Sequence, residues 1–391
     1  MTPDDFPPAR EAALARLAAV RPAEYARSRN ALDGAVTRLS PYLTHGLLTL
    51  PEVHAGIVAR HRLDPQHKLV YELGWREYFH HVWERRGEAI FDALHAGPLP
   101  ESAYAGTLPA DIREGRTGVP AIDRAVATLY ATGYLHNHAR MWLASYVVHV
   151  RKVHWRAGAD WLYGHLLDGD LASNHLSWQW VAGTGSHKPY LFNAENVARY
   201  APPDWHSPRT AIDRSYEAMD RIARDTGARS PDARDAGAAL AEPALLDAPP
   251  AEIGAAAPDP AAVRGRDVWL VHPWALRAPP PDLPAGALAV AISVADWHAR
   301  WPWSAARWTF VTAQQATLAP LRWHAAAADL ATALSGARAV HAVDDPHLRQ
   351  ALGRQAGAMG IRWRPLPRLF APVSASCGSF SQWWRRTALA G

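Results

Sequence analysis

Apolar residues recur along the first half of the chain at helical spacing. Leu135, Ala139, Trp142, Leu143, Tyr146, Val147 and Val150 fall at i, i+3/i+4 and i+7 steps, which gathers them on one face and predicts a helix buried along it. The same spacing predicts helices over 9–20, 50–61, 67–86, 119–131 and 158–167. The first domain therefore reads as all-α. Past residue 266 the period changes: 267–271 and 287–294 are short continuous apolar runs, the pattern of strands covered on both faces, and 337–342 and 361–364 read likewise. Helix-compatible text over 305–319, 322–334 and 346–359 separates them. Strands alternating with helices predict a small parallel sheet, a Rossmann-like α/β domain. Between the two patterns the chain is rich in Ala, Pro and Asp, as in Ala248-Pro249-Pro250, and reads as a linker that opens with a helix over 210–224. The expected fold class is multidomain, α and α/β: a helical domain over 1–208, a linker over 209–265 and an α/β domain over 266–391.

Composition agrees with two packed cores. Of 391 residues 49% are hydrophobic and 20% charged, which excludes a disordered chain or a disulfide miniprotein. The one cysteine, Cys377, excludes an internal disulfide and a cysteine-cage metal site. No apolar run reaches the ~18 residues of a membrane helix, and the segment from Met1 to Arg10 is acidic and broken by proline, unlike a secretion signal. A cytoplasmic protein with no membrane segment is expected. Residues 1–205 hold 21 Lys and Arg against 21 Asp and Glu, whereas 266–391 hold 13 against 6, so the positive excess sits at the C-terminus. That balance allows a nucleic-acid partner without requiring one. The chain also carries 18 Trp and 20 His, side chains suited to core packing and to stacking on planar ligands.

Chemistry concentrates between Gly133 and Pro202, in His136-Asn137-His138-Ala139-Arg140-Met141, Asp168-Gly169-Asp170-Leu171-Ala172-Ser173-Asn174 and Trp178-Gln179-Trp180. A metal site fails on geometry. His136 and His138 are two apart on a predicted helix and point about 200° away from each other, where ligands on one face need spacings of three or four. No metal is expected. Taken alone, Asp168 and Asp170 read as loop acids or helix caps.

Together these blocks resemble the flavin-binding catalytic domain of the DNA photolyase and cryptochrome family. Tyr25, Val36-Thr37-Arg38-Leu39-Ser40-Pro41-Tyr42-Leu43 and Glu72-Leu73-Gly74-Trp75-Arg76-Glu77-Tyr78 extend the resemblance from about Tyr25 to Pro202, roughly half the chain. It implies FAD as cofactor, active as FADH⁻. Tyr25, Thr37, Arg38, Leu39 and Ser40 would hold the pyrophosphate, at a turn into a helix where open N–H groups suit an anion. Arg140 and Asp168 match an ion pair beside the flavin ring, and Asp170 matches an acceptor for its polar edge. Asn174 matches the position facing N5, where an amide can bond N5–H without supplying a proton.

The same resemblance implies a partner, UV-damaged DNA, with single strands included, and a protein acting as a monomer. Glu72, Trp75, Asn137, Met141 and Trp180 match the pocket for a cyclobutane pyrimidine dimer, with Arg76 and His138 beside it. His138 stands where the family usually carries arginine. Trp178 and Trp155 match the first two members of a tryptophan chain that photoreduces the flavin. The third position falls near Ser102, so Tyr104 or another tryptophan would replace it. The implied reaction is light-driven splitting of the dimer by electron transfer. A cryptochrome-like photoreceptor without repair activity and a lyase for the (6-4) photoproduct are the alternatives. The α/β text resembles the family's antenna domain weakly and follows the flavin domain instead of preceding it, which implies a circularly permuted order. No antenna chromophore is assigned. Phe380, Trp383 and Trp384 are expected to pack on the helical domain, and Arg385 and Arg386 to be available to a phosphate backbone.

Overall fold

Histidine sets three helix starts in the first half of the chain. The Nδ1 atoms of His67, His136 and His154 accept from the N–H groups of Leu69, His138 and Arg156 at 3.1, 3.1 and 3.2 Å. Each satisfies a donor that a helix start leaves open. The helices that follow, Lys68–Arg86, Asn137–Ser145 and Trp155–His165, form the frame of the helical domain in the computed structural model, which describes residues 5–228 and 238–390. A fourth, Leu171–Ala182, is capped by Asp170, whose Oδ1 accepts from Ser173 N at 2.8 Å. Gly183, in the left-handed conformation, ends it. The apolar face predicted over 135–150 is continuous, although its last turn, Tyr146–Val150, is a π-helix. Directly after it the fully buried Arg151 donates to both carboxylate oxygens of Asp111, at 2.7 and 3.1 Å.

Among the described residues seven short strands follow in the second half. β1 (Leu245–Leu246) pairs with β4 (Trp303–Ser304), antiparallel. The other five, β2 (Asp267–Val271), β3 (Leu288–Val294), β5 (Leu321–Ala325), β6 (Ala339–Val343) and β7 (Arg362–Arg364), make an all-parallel sheet in the order β5-β3-β2-β6-β7. β2, β3 and β6 are buried along their whole length, as continuous apolar runs require. The chain is thus a helical domain joined to a Rossmann-like α/β domain.

Three expectations change. The stretch 322–334 is not one helix, because Leu321–Ala325 forms the edge strand β5 and only Ala327–Leu334 is helical. In β5 Trp323 alone is buried, so the apolar run that marks a covered strand is missing. The helix at the head of the linker starts later, at Tyr216, capped by Ser215. The linker itself is not a free tether. Leu240 N donates to Glu114 O at 2.9 Å, Glu242 pairs with Arg113 and accepts from Trp161 Nε1 at 3.0 Å, and Leu245 enters the ladder with β4. Residues 229–237 of the linker, and 1–4 of the N-terminal segment, lie outside the described residues.

One buried cluster runs from Phe6 and Tyr42 through Leu171 to Trp274, Trp303 and Phe310, so the two domains share a core. The helix Phe380–Trp384 packs on the helix Lys68–Arg86, with Phe380 stacked on Trp75 at 4.1 Å and Trp384 tilted against Tyr71 at 4.3 Å. Gly74 makes this possible, since a Cβ there would lie 2.6 Å from the Trp384 ring. Among the described residues no helix is long and apolar enough to cross a membrane.

Candidate functional site

The helices Asn137–Ser145, Trp155–His165 and Leu171–Ala182 enclose a cavity of about 120 Å³. Asn137 and Met141 line it together with Arg140, Asp168, Asp170, Asn174 and Trp178. Arg140 Nη2 donates to both oxygens of Asp168, at 2.9 and 2.8 Å, and its Nε to Leu135 O at 2.7 Å, which fixes the guanidinium on the wall. Asn174 Nδ2 donates to Ala159 O at 2.8 Å. With its nitrogen tied, the amide has its carbonyl oxygen left as the acceptor. Ser173 Oγ is buried here and has no partner among the described residues. A polar atom in that state suits a ligand rather than an apolar plug.

A second cleft, of about 220 Å³, is lined by Arg16, Arg21, Tyr25 and the stretch 34–38. Its walls carry three arginines and no carboxylate, and among the described residues the N–H groups of Thr37 and Arg38 have no acceptor. Arg38 sits at φ +51°, a left-handed backbone that costs a side-chain-bearing residue roughly 1–2 kcal/mol. The turn it makes leads through Leu39 into the short helix Ser40–Thr44. Arg21 pairs with Glu24 at 2.9 Å and Arg16 donates to Asp5 O, so Arg38 and the open N–H groups are the donors left for an anion. Together the two cavities fit a flavin dinucleotide: open donors and cations for the pyrophosphate, and an ion pair, an amide acceptor and an unpaired hydroxyl for the ring.

Other residues take positions the resemblance did not imply. His138, 6% exposed, is bonded through Nδ1 to Asn30 O at 2.8 Å and through Nε2 to Tyr190 Oη at 3.2 Å. Burial lowers its pKa, so it is a neutral, satisfied core histidine and not a lesion-facing cation. His136 is the helix cap described above, with burial pushing it down to about 4. Arg76 turns inward, donating to Thr44 Oγ1 at 3.2 Å and Asp170 Oδ2 at 3.3 Å, so its charge is spent inside the protein. Trp75 has one face covered by Phe380. Glu72 pairs with Arg29, and burial raises its carboxyl despite that cation. Trp180 stands exposed beside Tyr190, at 5.7 Å between ring centres. Trp178 is buried over Gly158, where a Cβ would lie 2.3 Å from the indole, one turn along the helix from Trp155. From Trp155 the rings continue through His154, at 5.6 Å, to Tyr104, at 6.4 Å.

Asp170 borders the ring cavity, yet both of its oxygens are engaged. Besides capping the helix it accepts from His80 Nε2 at 2.8 Å. Burial alone would raise this carboxyl, but His80, Arg76 and His347 hold it well below its usual value. Burial likewise would lower His80, and Asp170 reverses that, so its pKa is raised. Arg76 and Glu77 from its own helix and Asp345 and His347 from the α/β domain also face His80. Sequence reading gave no role to His80, although a histidine on the buried side of the 67–86 helix was a usable signal. A raised histidine stabilises the fold fully below its unfolded pKa of about 6.5 and loses that contribution as pH climbs through the higher folded value. The melting-temperature advantage of the wild-type chain over His80→Gln is therefore expected to be largest near pH 6 and to shrink toward pH 9. An advantage that is flat over this range would refute the pairing.

A family profile described as the FAD binding domain of DNA photolyase matches residues 69–206. Cryptochrome DASH of Idiomarina loihiensis is 31% identical over 235 residues, covering 56% of this chain and 52% of that protein. Deoxyribodipyrimidine photo-lyase of Thermus thermophilus is 39% identical over 250 residues, covering 56% and 57%. Among solved structures, a cryptochrome from Synechocystis is 30% identical, with 49% of this chain and 43% of that one aligned and a TM-score of 0.43. The chain spans about half the length of the curated relatives it matches. The helical fold and its paired cavities define a flavin-binding domain of photolyase type. Residues 69–206 match the FAD binding domain of DNA photolyase, and the cofactor of that domain is FAD.

Proposed function

We propose that this protein repairs UV-damaged DNA with light, splitting cyclobutane pyrimidine dimers. The observation that carries the reading is the ring cavity itself, with the Arg140–Asp168 pair and Asn174 on its walls and Asn137 and Met141 beside them. Bound in its reduced form, FAD supplies the electron that opens the dimer and takes it back. The protein's part is placement. Asn174 would offer the ring a carbonyl acceptor and no proton, and Arg140 with Asp168 would orient it. Tyr25 and the 37–40 turn would hold the pyrophosphate, and Asn137, Met141 and the exposed Trp180 would receive the two joined bases of a dimer extruded from one strand. Trp178, Trp155 and Tyr104, bridged by His154, form the path by which the ring is reduced from outside. The parallel order β5-β3-β2-β6-β7 supports the reading of the second half as an antenna-type domain in permuted position.

The test uses the full chain, loaded with FAD and reduced, with UV-irradiated oligothymidylate and its duplex. Blue light is expected to remove dimers from one or both. No loss in either refutes repair. The inward-turned Arg76, the satisfied His138 and the covered Trp75 favour a second reading, a cryptochrome-like photoreceptor that keeps the flavin site without a lesion pocket. Retained FAD with light-dependent change in hydrogen exchange, and no repair, would select it.

A further inference from the structure

The turn that carries both carboxylates of the flavin site is gripped from behind by the other domain. Arg307, on the helix Ala305–Leu318, is wholly buried. Its Nη2 donates to Gly169 O at 2.5 Å and its Nη1 to Tyr163 O at 3.4 Å, while the guanidinium lies 3.9 Å over the Trp303 ring. Among the described residues no carboxylate lies within ion-pair distance of it, so Asp168 and Asp170 balance its charge from further away. Gly169 is what admits it: a Cβ there would lie 2.5 Å from Arg307 Nη1. Two further contacts close on the same turn. His347 Nε2 accepts from Leu171 N at 3.3 Å, and the buried His45 bridges Leu167 O at 2.8 Å and Pro273 O at 2.6 Å.

A buried guanidinium held by two carbonyls and the Trp303 and Tyr163 rings, with no ion-pair partner and its Nε unpaired among the described residues, is costly. We propose that Arg307 is a positioning residue of the flavin site: it fixes the Asp168-Gly169-Asp170 turn and adds a fixed positive charge behind it, so the site is complete only with the α/β domain docked. This rests on the FAD assignment and deepens it. Around the turn Asp168 is paired with Arg140, and Asp170 with Arg76 and His80, while Arg307 has no carboxylate within ion-pair distance among the described residues, so its charge favours an electron-rich ring. The α/β domain thereby contributes to the chemistry of the ring whether or not it carries a pigment.

The experiment compares the full-length wild type with Arg307→Met, Arg307→Lys and Gly169→Ala. Hydrogen exchange over residues 166–171 is followed in the FAD-free protein, and the reduced-to-oxidised FAD ratio is read at one fixed solution potential. Arg307→Met is expected to speed exchange in that segment and lower the ratio, each about tenfold, the effect of one lost charge-assisted hydrogen bond near a buried charge. Arg307→Lys keeps the charge without the planar fork, so it restores the ratio to within about threefold while exchange stays fast. Gly169→Ala, which displaces the guanidinium, is expected to follow Arg307→Lys in exchange. A folded Arg307→Met with unchanged exchange and ratio overturns the proposal. If that variant does not fold, wild-type exchange rates in both Arg307→Lys and Gly169→Ala overturn it. A wild type that takes up no FAD defeats the cofactor assignment, and the exchange comparison still decides whether Arg307 holds the turn.

Discussion

Asp168→Asn yields a chain that loses its flavin on purification. Arg140 is held by three hydrogen bonds, two of them to the Asp168 carboxylate, which is nearly fully buried. An asparagine offers one neutral oxygen where two charged ones stood, and its amide nitrogen faces a guanidinium that can only donate. Loss of the charge-assisted bonds that place Arg140 on the cavity wall is expected to cost about 1.5–3 kcal/mol of binding, so FAD retention weakens by about 10- to 100-fold. The turn keeps its remaining ties, through Gly169 O to Arg307 and through Asp168 O to Thr44 Oγ1 at 3.2 Å, so the fold survives. The visible-to-ultraviolet absorbance ratio of the purified protein and a fluorescence titration with FAD measure the loss. Native-like FAD content in Asp168→Asn would remove the ion pair from the site.

The largest loss of stability is expected from Arg151→Met. Arg151 and Asp111 are both buried, joined by two bonds at 2.7 and 3.1 Å, directly after the π-helical turn that ends at Val150. The substitution leaves the carboxylate buried without its guanidinium, at a cost of about 3–5 kcal/mol. Replacing both partners with apolar residues, as in Asp111→Leu with Arg151→Met, is expected to recover much of this, because neither position then brings a charge into the interior. Urea midpoints of the two variants decide the matter. A loss under about 1 kcal/mol for Arg151→Met would show that the pair holds little.

The helices of the first half were legible because their apolar period is strong, and β2, β3 and β6 because strands covered on both faces are apolar throughout. β5 was not, since an edge strand that buries Trp323 alone imitates the start of the helix beside it. At the site, Arg140, Asp168, Asn174 and Trp178 line one cavity. Arg76, Trp75 and His138 occupy matched positions, but position along a helix does not say which way a long side chain turns or what covers it. Their neighbours, Asp170, Phe380 and Tyr190, come from distant parts of the chain. The same reason hid Arg307 and His347, which reach the flavin turn from 138 and 176 residues away. One signal was available: an arginine on the apolar face of the 305–319 helix, where a charge needs an explanation.

The peptide over Leu240–Leu246 lies across both domains, bonded to Glu114, Arg113 and Trp161 on one side and laddered to Trp303 and Ser304 on the other. The docking of the two halves is therefore held by the bonds of this peptide seam as well as by the shared core. A seam of that kind lets evolution reshuffle which half is translated first while the finished object keeps its geometry.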